Sequence, residues 1–172
     1  MAEGSTLDDV RTTGENTAGL RGRRIALTVM LVVVLAGASG WLGVRAQTTT
    51  ASGGGYDLSV TYPRVARSGL DVPWELRLEH PGGFQDDIVI AVSADYYDIF
   101  EFQGMHPEPS DETSDGRFVY LTFKPPPSGD VFTTSLDTYV QPASQIGRHA
   151  TVRAIIAGQP VAEVSYSTWL VP

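Results

Sequence analysis

Cysteine is absent from this chain of 172 residues. No disulfide, thiolate metal site or thiol nucleophile can therefore form. Lysine is nearly absent too, with one residue against eleven arginines. Cations as a whole are few: 12 against 20 carboxylates leave a net charge of −8 and no basic patch of the kind that nucleic-acid binding needs. The sequence lacks a Gly-x-Ser-x-Gly elbow, and the segment 84–97 holds no glycine loop that could cradle a phosphate. Its three histidines, His80, His106 and His149, stand in separate segments, so nothing in the order of residues assembles a Ser-His-acid triad. These absences argue against an enzyme and against a bound cofactor.

What is present is strongly segregated. Residues 25–44 read IALTVMLVVVLAGASGWLGV, twenty residues without a charge. As a helix that run would be about 30 Å long, the thickness of the hydrocarbon core of a bilayer. Arg11, Arg21, Arg23 and Arg24 precede it, and only Arg45 closely follows. Basic residues stay on the cytoplasmic side, so the expected topology is N-terminus inside and the bulk of the chain outside. Trp41 falls near the outer end, where an indole favours the interface. A signal peptide cleaved after Ala46 is the competing reading. The apolar run exceeds the about 7–15 residues of a signal core, and a long region precedes it, which favours an uncleaved anchor. Leu35-Ala36-Gly37 begins like a lipobox, but Ala38 stands where the acylated cysteine would be. Ala36 and Gly40 form a small-x-x-x-small pair that would let a second helix approach closely.

The chain thus divides into a disordered cytoplasmic tail over 1–24, a transmembrane helix over 25–44, a flexible linker over 45–55 and a folded domain over 56–172. The tail carries four acids and four arginines with no apolar periodicity, too little to offset its ordering entropy. The linker, RAQTTTASGGG, is small and polar, with a random-coil reach of about 17 Å.

In the folded part the period is two. Tyr56, Leu58, Val60 and Tyr62 alternate with polar residues, and so do Trp74, Leu76 and Leu78. DDIVIAVS, at 86–93, reads as a strand buried on both faces. Further strands are predicted over 118–123, 131–140, 149–157 and 161–170, the last two joined by a hairpin turn at Gly158-Gln159-Pro160. Seven short strands with turn signals between them point to an all-β, immunoglobulin-like antiparallel sandwich of about seven strands; a jelly roll is the alternative. Trp74 lies on the apolar face of its strand and reads as core. Trp169 reads as structural in preference to a carbohydrate stacker.

One connection is too long for simple strand joining. ADYYDIFEFQGMHPEPSDETSDGR, at 94–117, holds aromatics at Tyr96, Tyr97, Phe100 and Phe102 and an acidic run at Glu108, Asp111, Glu112 and Asp115. Tyr96, Tyr97, Phe100, His106, Glu108, Asp111, Glu112 and Asp115 are the candidate interaction loop: aromatics supply binding area, and the acids favour a basic partner surface. In the alternative arrangement the aromatics fold back over one end of the sandwich and only the acidic tip is exposed. His106 and the carboxylates match no calcium-loop spacing, so a solvated acidic loop is preferred to a metal site.

The segments Tyr62-Pro63, Gly69, Trp74, His80-Pro81-Gly82-Gly83-Phe84, Phe123-Lys124-Pro125-Pro126-Pro127 and Thr168-Trp169-Leu170-Val171-Pro172 together resemble a group of uncharacterised single-pass membrane proteins of high-GC Gram-positive bacteria with an extracytoplasmic immunoglobulin-like sandwich. The excess of arginine over lysine fits such a genome. The resemblance implies the anchor, the sandwich and a membrane partner, a neighbouring small multi-pass protein, and it implies no catalytic residue. The expected function is an anchored extracytoplasmic interaction module, an accessory subunit docking onto another membrane or envelope protein. The alternative is an ectodomain that binds envelope carbohydrate or an ion, or a hydrolase.

Overall fold

A computed structural model describes residues 17–39 and 43–171 of the chain. It divides into two units, Met1–Leu42 and Gly43–Pro172. The described residues of the first hold one helix, α1 (Thr17–Ala38). It starts inside the segment expected to be disordered, because Arg21, Arg23 and Arg24 are good helix formers contiguous with the apolar run. Ile25, Leu27 and every residue from Val29 to Leu35 expose half or more of their surface. Among the described residues no helix is long and apolar enough to cross a membrane. The uncharged part of α1, from Ile25 to Ala38, is about 21 Å long. Gly40, Trp41 and Leu42, the next part of the apolar run, lie outside the described residues.

The second unit is a sandwich of two β-sheets. Its elements in chain order are β1 (Arg45–Gly53), β2 (Tyr56–Arg67), β3 (Trp74–Glu79), β4 (Ile88–Ser93), the single helical turn α2 (Ala94–Tyr97), β5 (Phe100–His106), β6 (Asp111–Ser114), β7 (Phe118–Phe123), β8 (Val131–Val140), β9 (His149–Ile156), β10 (Gln159–Ser167) and β11 (Trp169–Val171). One sheet runs β1-β2-β3-β8-β5 and the other β10-β9-β4-β7-β6, with β11 added in parallel to the end of β2. All other pairs are antiparallel.

The alternation read from the sequence sets the core. Trp74, Leu76 and Leu78 are each at most 2% exposed, and Leu58 and Val60 of β2 join them. Ile88, Ile90, Leu121, Phe123, Val152 and Ala154 form the facing layer. β4 lies between β7 and β9; on its outer face Ala91 is buried between its cross-strand neighbours Tyr120 and Arg153, whereas Val89 is half-buried. The β9–β10 hairpin turns one or two residues earlier than the sequence suggests, at Ala157 (φ 49°) and Gly158 (φ 75°). Two positive φ angles in succession are the signature of the two-residue turn whose twist suits a hairpin. Gln159 and Pro160 already belong to β10.

Eleven strands are described in place of about seven. The four extra ones are β1, β5, β6 and β11. Residues 45–53, expected to be linker, form β1, an edge strand in register with β2 from Arg45↔Val65 to Gly53↔Tyr56. Its Thr and Ser side chains stay outside, and its backbone supplies the pairing. The connection 94–117 contains α2, β5 and β6, which carry the chain from one sheet to the other and back. The strand expected over 161–170 breaks at Thr168, which is 2% exposed, and its last part becomes β11.

Candidate functional site

The expected interaction loop separates into three parts with different surroundings. Tyr96 and Phe100 are core residues, 1% and 3% exposed, and are unavailable to a partner. Their spacing brings them edge to face, with ring centroids 5.0 Å apart. Tyr96 also meets Tyr166 edge to face at 5.3 Å, and Tyr166 stacks on Tyr62. Polar tips tie this aromatic group together. Trp74 Nε1 donates to the Tyr166 hydroxyl at 2.8 Å, the Tyr96 hydroxyl meets Thr168 Oγ1 at 3.0 Å, and Thr168 donates to the Pro63 carbonyl at 2.6 Å. Burial pushes the Tyr96 and Tyr166 phenols well above their usual range, so both stay protonated. The folded-back alternative thus describes Tyr96 and Phe100.

Tyr97, the last residue of α2, behaves differently. It is half-buried, and its ring stacks on Phe102 at 4.0 Å and 27°. The pair forms one wall of a groove of about 240 Å³, floored by Met105 and Leu136 and edged by Gln103, Pro109 and Glu112. The fold explains why a groove opens here. β5 is the edge of one sheet and β6 the edge of the other, so the sandwich is unclosed along this side. β5 also bulges at Gln103, where Phe102 faces Thr138 and Gly104 faces Asp137 of β8. A bulge bends an edge strand and re-aims its side chains. Burial, with a smaller contribution from the charge of Glu112, pushes the Tyr97 hydroxyl up to about 12. It therefore remains a hydrogen-bond donor at neutral pH.

The acidic part forms the outer edge. His106, Glu108, Asp111, Glu112 and Asp115 are all exposed. They do not converge: among the described residues no three of His, Asp and Glu could hold a metal ion. Carboxylates on the edge strand β6 are a common guard against edge-to-edge pairing. Asp115 is structural. Its Oδ1 accepts from the backbone N–H groups of Arg117 and Phe118 at 2.8 and 2.7 Å, and its Oδ2 accepts from the Tyr120 hydroxyl. These bonds hold its carboxyl below the usual range and fix the β6–β7 turn. Glu112 alone of the acids borders the groove.

The remaining histidines are engaged in ordinary packing. His80 stacks on Tyr56 at 4.1 Å, and its Nδ1 is 2.9 Å from the Gly55 carbonyl. His149 Nδ1 is 3.1 Å from Ser167 Oγ across β9 and β10, and among the described residues no carboxylate bonds its other nitrogen. Several groove residues, Gln103, Met105, Pro109 and Leu136, carry no motif. Trp169 departs from its structural reading: it is 68% exposed.

No family model and no curated protein matches this chain. Among solved structures it is similar, over 76% of its length, to the Pseudomonas fluorescens alkylpurine DNA glycosylase AlkC bound to DNA containing an abasic site analog, at 12% identity and a TM-score of 0.34. The chain spans 32% of that protein. A likeness at this score carries no argument about fold or activity, and the groove between β5 and β6 stands on its own geometry.

Proposed function

We propose that this protein is a membrane-anchored extracytoplasmic interaction module, an accessory subunit that receives a segment of another membrane or envelope protein in the groove between β5 and β6. The groove carries the reading: an apolar floor, an aromatic wall, one phenolic donor and one carboxylate at the rim form a surface for polypeptide. The two rings of the wall occupy one another's faces, which leaves less open ring for a sugar than a lone stacker would offer. The β5 edge beside the groove offers backbone groups that a bound strand could meet.

The anchor rests on the uncharged run of 25–44, the four arginines before it, and the apolar side chains that α1 exposes all round. The immunoglobulin-like assignment is supported by strand order. β2-β3-β8-β5 against β10-β9-β4 follows the A-B-E-D and G-F-C arrangement, with β6 and β7 inserted beyond the fourth strand. The resemblance to single-pass proteins of high-GC Gram-positive bacteria belongs with this reading.

The test is a photo-crosslinking side chain at Gln103, which is exposed at the groove, in the full chain in native membranes. Glu163, exposed on β10, serves as the control position. Adducts to a discrete protein from position 103, absent from position 163 and lost in Glu112→Lys, are the expected result. Equal labelling from both positions would remove the groove as the docking site.

A further inference from the structure

Among the described residues of the sandwich three large apolar side chains are exposed: Leu70 at 43%, Ile146 at 70% and Trp169 at 68%. They come from three separate segments and meet at one end. Trp169 pairs with Val65, near the end of β2. Ser68, just beyond β2, donates its hydroxyl to the Ser144 carbonyl and so ties the turn of Leu70 to the loop 141–148. Gly147 lies against the β10–β11 junction so closely that a Cβ there would be 2.0 Å from the Thr168 carbonyl oxygen. Ile146 and Trp169 consequently line one open depression, with Arg148 beside them. β1 begins at this same end, where Arg45 faces Val65 from the other side of β2. Neighbouring strands stand about 4.8 Å apart, which puts Arg45 and Trp169 about 10 Å apart at one height on the sheet.

We infer that this end of the sandwich docks on the surface of the membrane that holds residues 25–44, seating Trp169, Ile146 and Leu70 among the lipid headgroups. The inference rests on the anchored reading above. Arg45 is the first residue after the apolar run, and Trp169 is level with it across β2, so the patch lies at the end of the sandwich where the apolar run joins it in sequence. The headgroup layer is about 5–7 Å thick on each side, and indole rings concentrate there. The charges nearby are mixed. Arg45 and Arg148 stand beside the patch, while Asp71 and Asp95 lie at the same end. Apolar contact therefore carries the docking, a neutral bilayer suffices, and added salt leaves it in place.

The experiment uses the full chain in phosphatidylcholine vesicles, with and without bromine on the acyl chains near the headgroup. The chain has three tryptophans, and Trp74 is 2% exposed. Trp41→Phe isolates Trp169 above that buried background, Trp169→Phe isolates Trp41, and the double variant gives the background. Both Trp41 and Trp169 should lose emission to the brominated lipid, and Trp169 should keep that loss in high salt. Loss at Trp41 with none at Trp169 overturns the docking and leaves the anchor standing. Loss at neither overturns the anchor and the docking with it. A Trp169 emission that is shielded yet insensitive to bromine assigns the patch to a protein neighbour and also overturns the inference.

Discussion

Two tryptophans of this chain occupy opposite surroundings, and truncating each to alanine should give opposite results. Trp74 is 2% exposed, packs with Leu76 and Leu78 in the main core and donates to the Tyr166 hydroxyl at 2.8 Å. Removing a buried tryptophan costs about 3–5 kcal/mol. The hydrogen bond accounts for about 1 kcal/mol of that. A domain of this size shifts its melting temperature by roughly 4 °C for each kcal/mol. Trp74→Ala should therefore melt about 12–20 °C below the parent, a loss that takes much of the about 5–15 kcal/mol available to a small domain. Trp74→Phe keeps one aromatic ring but loses the donor and part of the indole's volume, and should fall between. Trp169, 68% exposed, should move by about 2 °C or less on truncation, because exposed sites stay within about 0.5 kcal/mol. The assay is thermal unfolding of the full chain in detergent, followed by the sheet signal in circular dichroism. A Trp74→Ala protein that melts with the parent, or a Trp169→Ala protein that loses as much, would refute the assignment of the core.

The other predictions concern the turn and the close approach of two edges. The carboxyl of Asp115 is held low by the N–H groups of Phe118 and Arg117, so its stabilisation is complete above about pH 4 and disappears as pH falls through the lowered value; Asp115→Asn should weaken the fold at neutral pH and flatten the acid limb of a stability–pH profile. Gly53→Ala would place a Cβ 2.3 Å from the Val161 carbonyl oxygen, a backbone atom that cannot swing away; it should cost about 1–3 kcal/mol in chemical denaturation, whereas Thr50→Ala on the same strand should not.

Much of the sandwich was legible in the sequence because its central strands bury one face and expose the other. The alternation at Trp74, Leu76 and Leu78 located β3, and the unbroken apolar run at Ile88 located β4 between two neighbours. β1 was not legible, since its Thr, Ser and Ala side chains have no apolar phase. Its pairing is written in the backbone of β2 rather than in its own residues. β5 was half legible. The helical spacing of Tyr96 and Phe100 allows a helical turn or an edge strand equally, and the chain has both, α2 over Ala94–Tyr97 and then the edge strand β5, where Phe100 pairs with Val140. The groove was half visible: Tyr97 and Glu112 were singled out by type, but Met105, Pro109 and Leu136 reach it only through the sheet-to-sheet crossing. Asp115-Gly116 reads equally as part of the acidic run and as a turn, and the bonds from the Arg117 and Phe118 N–H groups to Asp115 show the turn.

The strand that replaces the expected linker changes how widely the sandwich could roam. A chain that stayed loose through residue 55 would leave the domain on a leash long enough to sweep past several neighbours. With β1 sewn to β2 from Arg45 onward, residues 45–53 add nothing to such a leash. The effective concentration of a tethered site rises as its leash shortens, roughly as the inverse three-halves power of length, until the leash can no longer span the gap. A partner whose contact surface stands at the right distance would meet the groove at high local concentration, and one that stands farther out would not meet it at all. Leash length then acts as a selector of partners. Its control is the cohesion of a nine-residue edge strand: unzipping β1 would lengthen the leash without breaking the core.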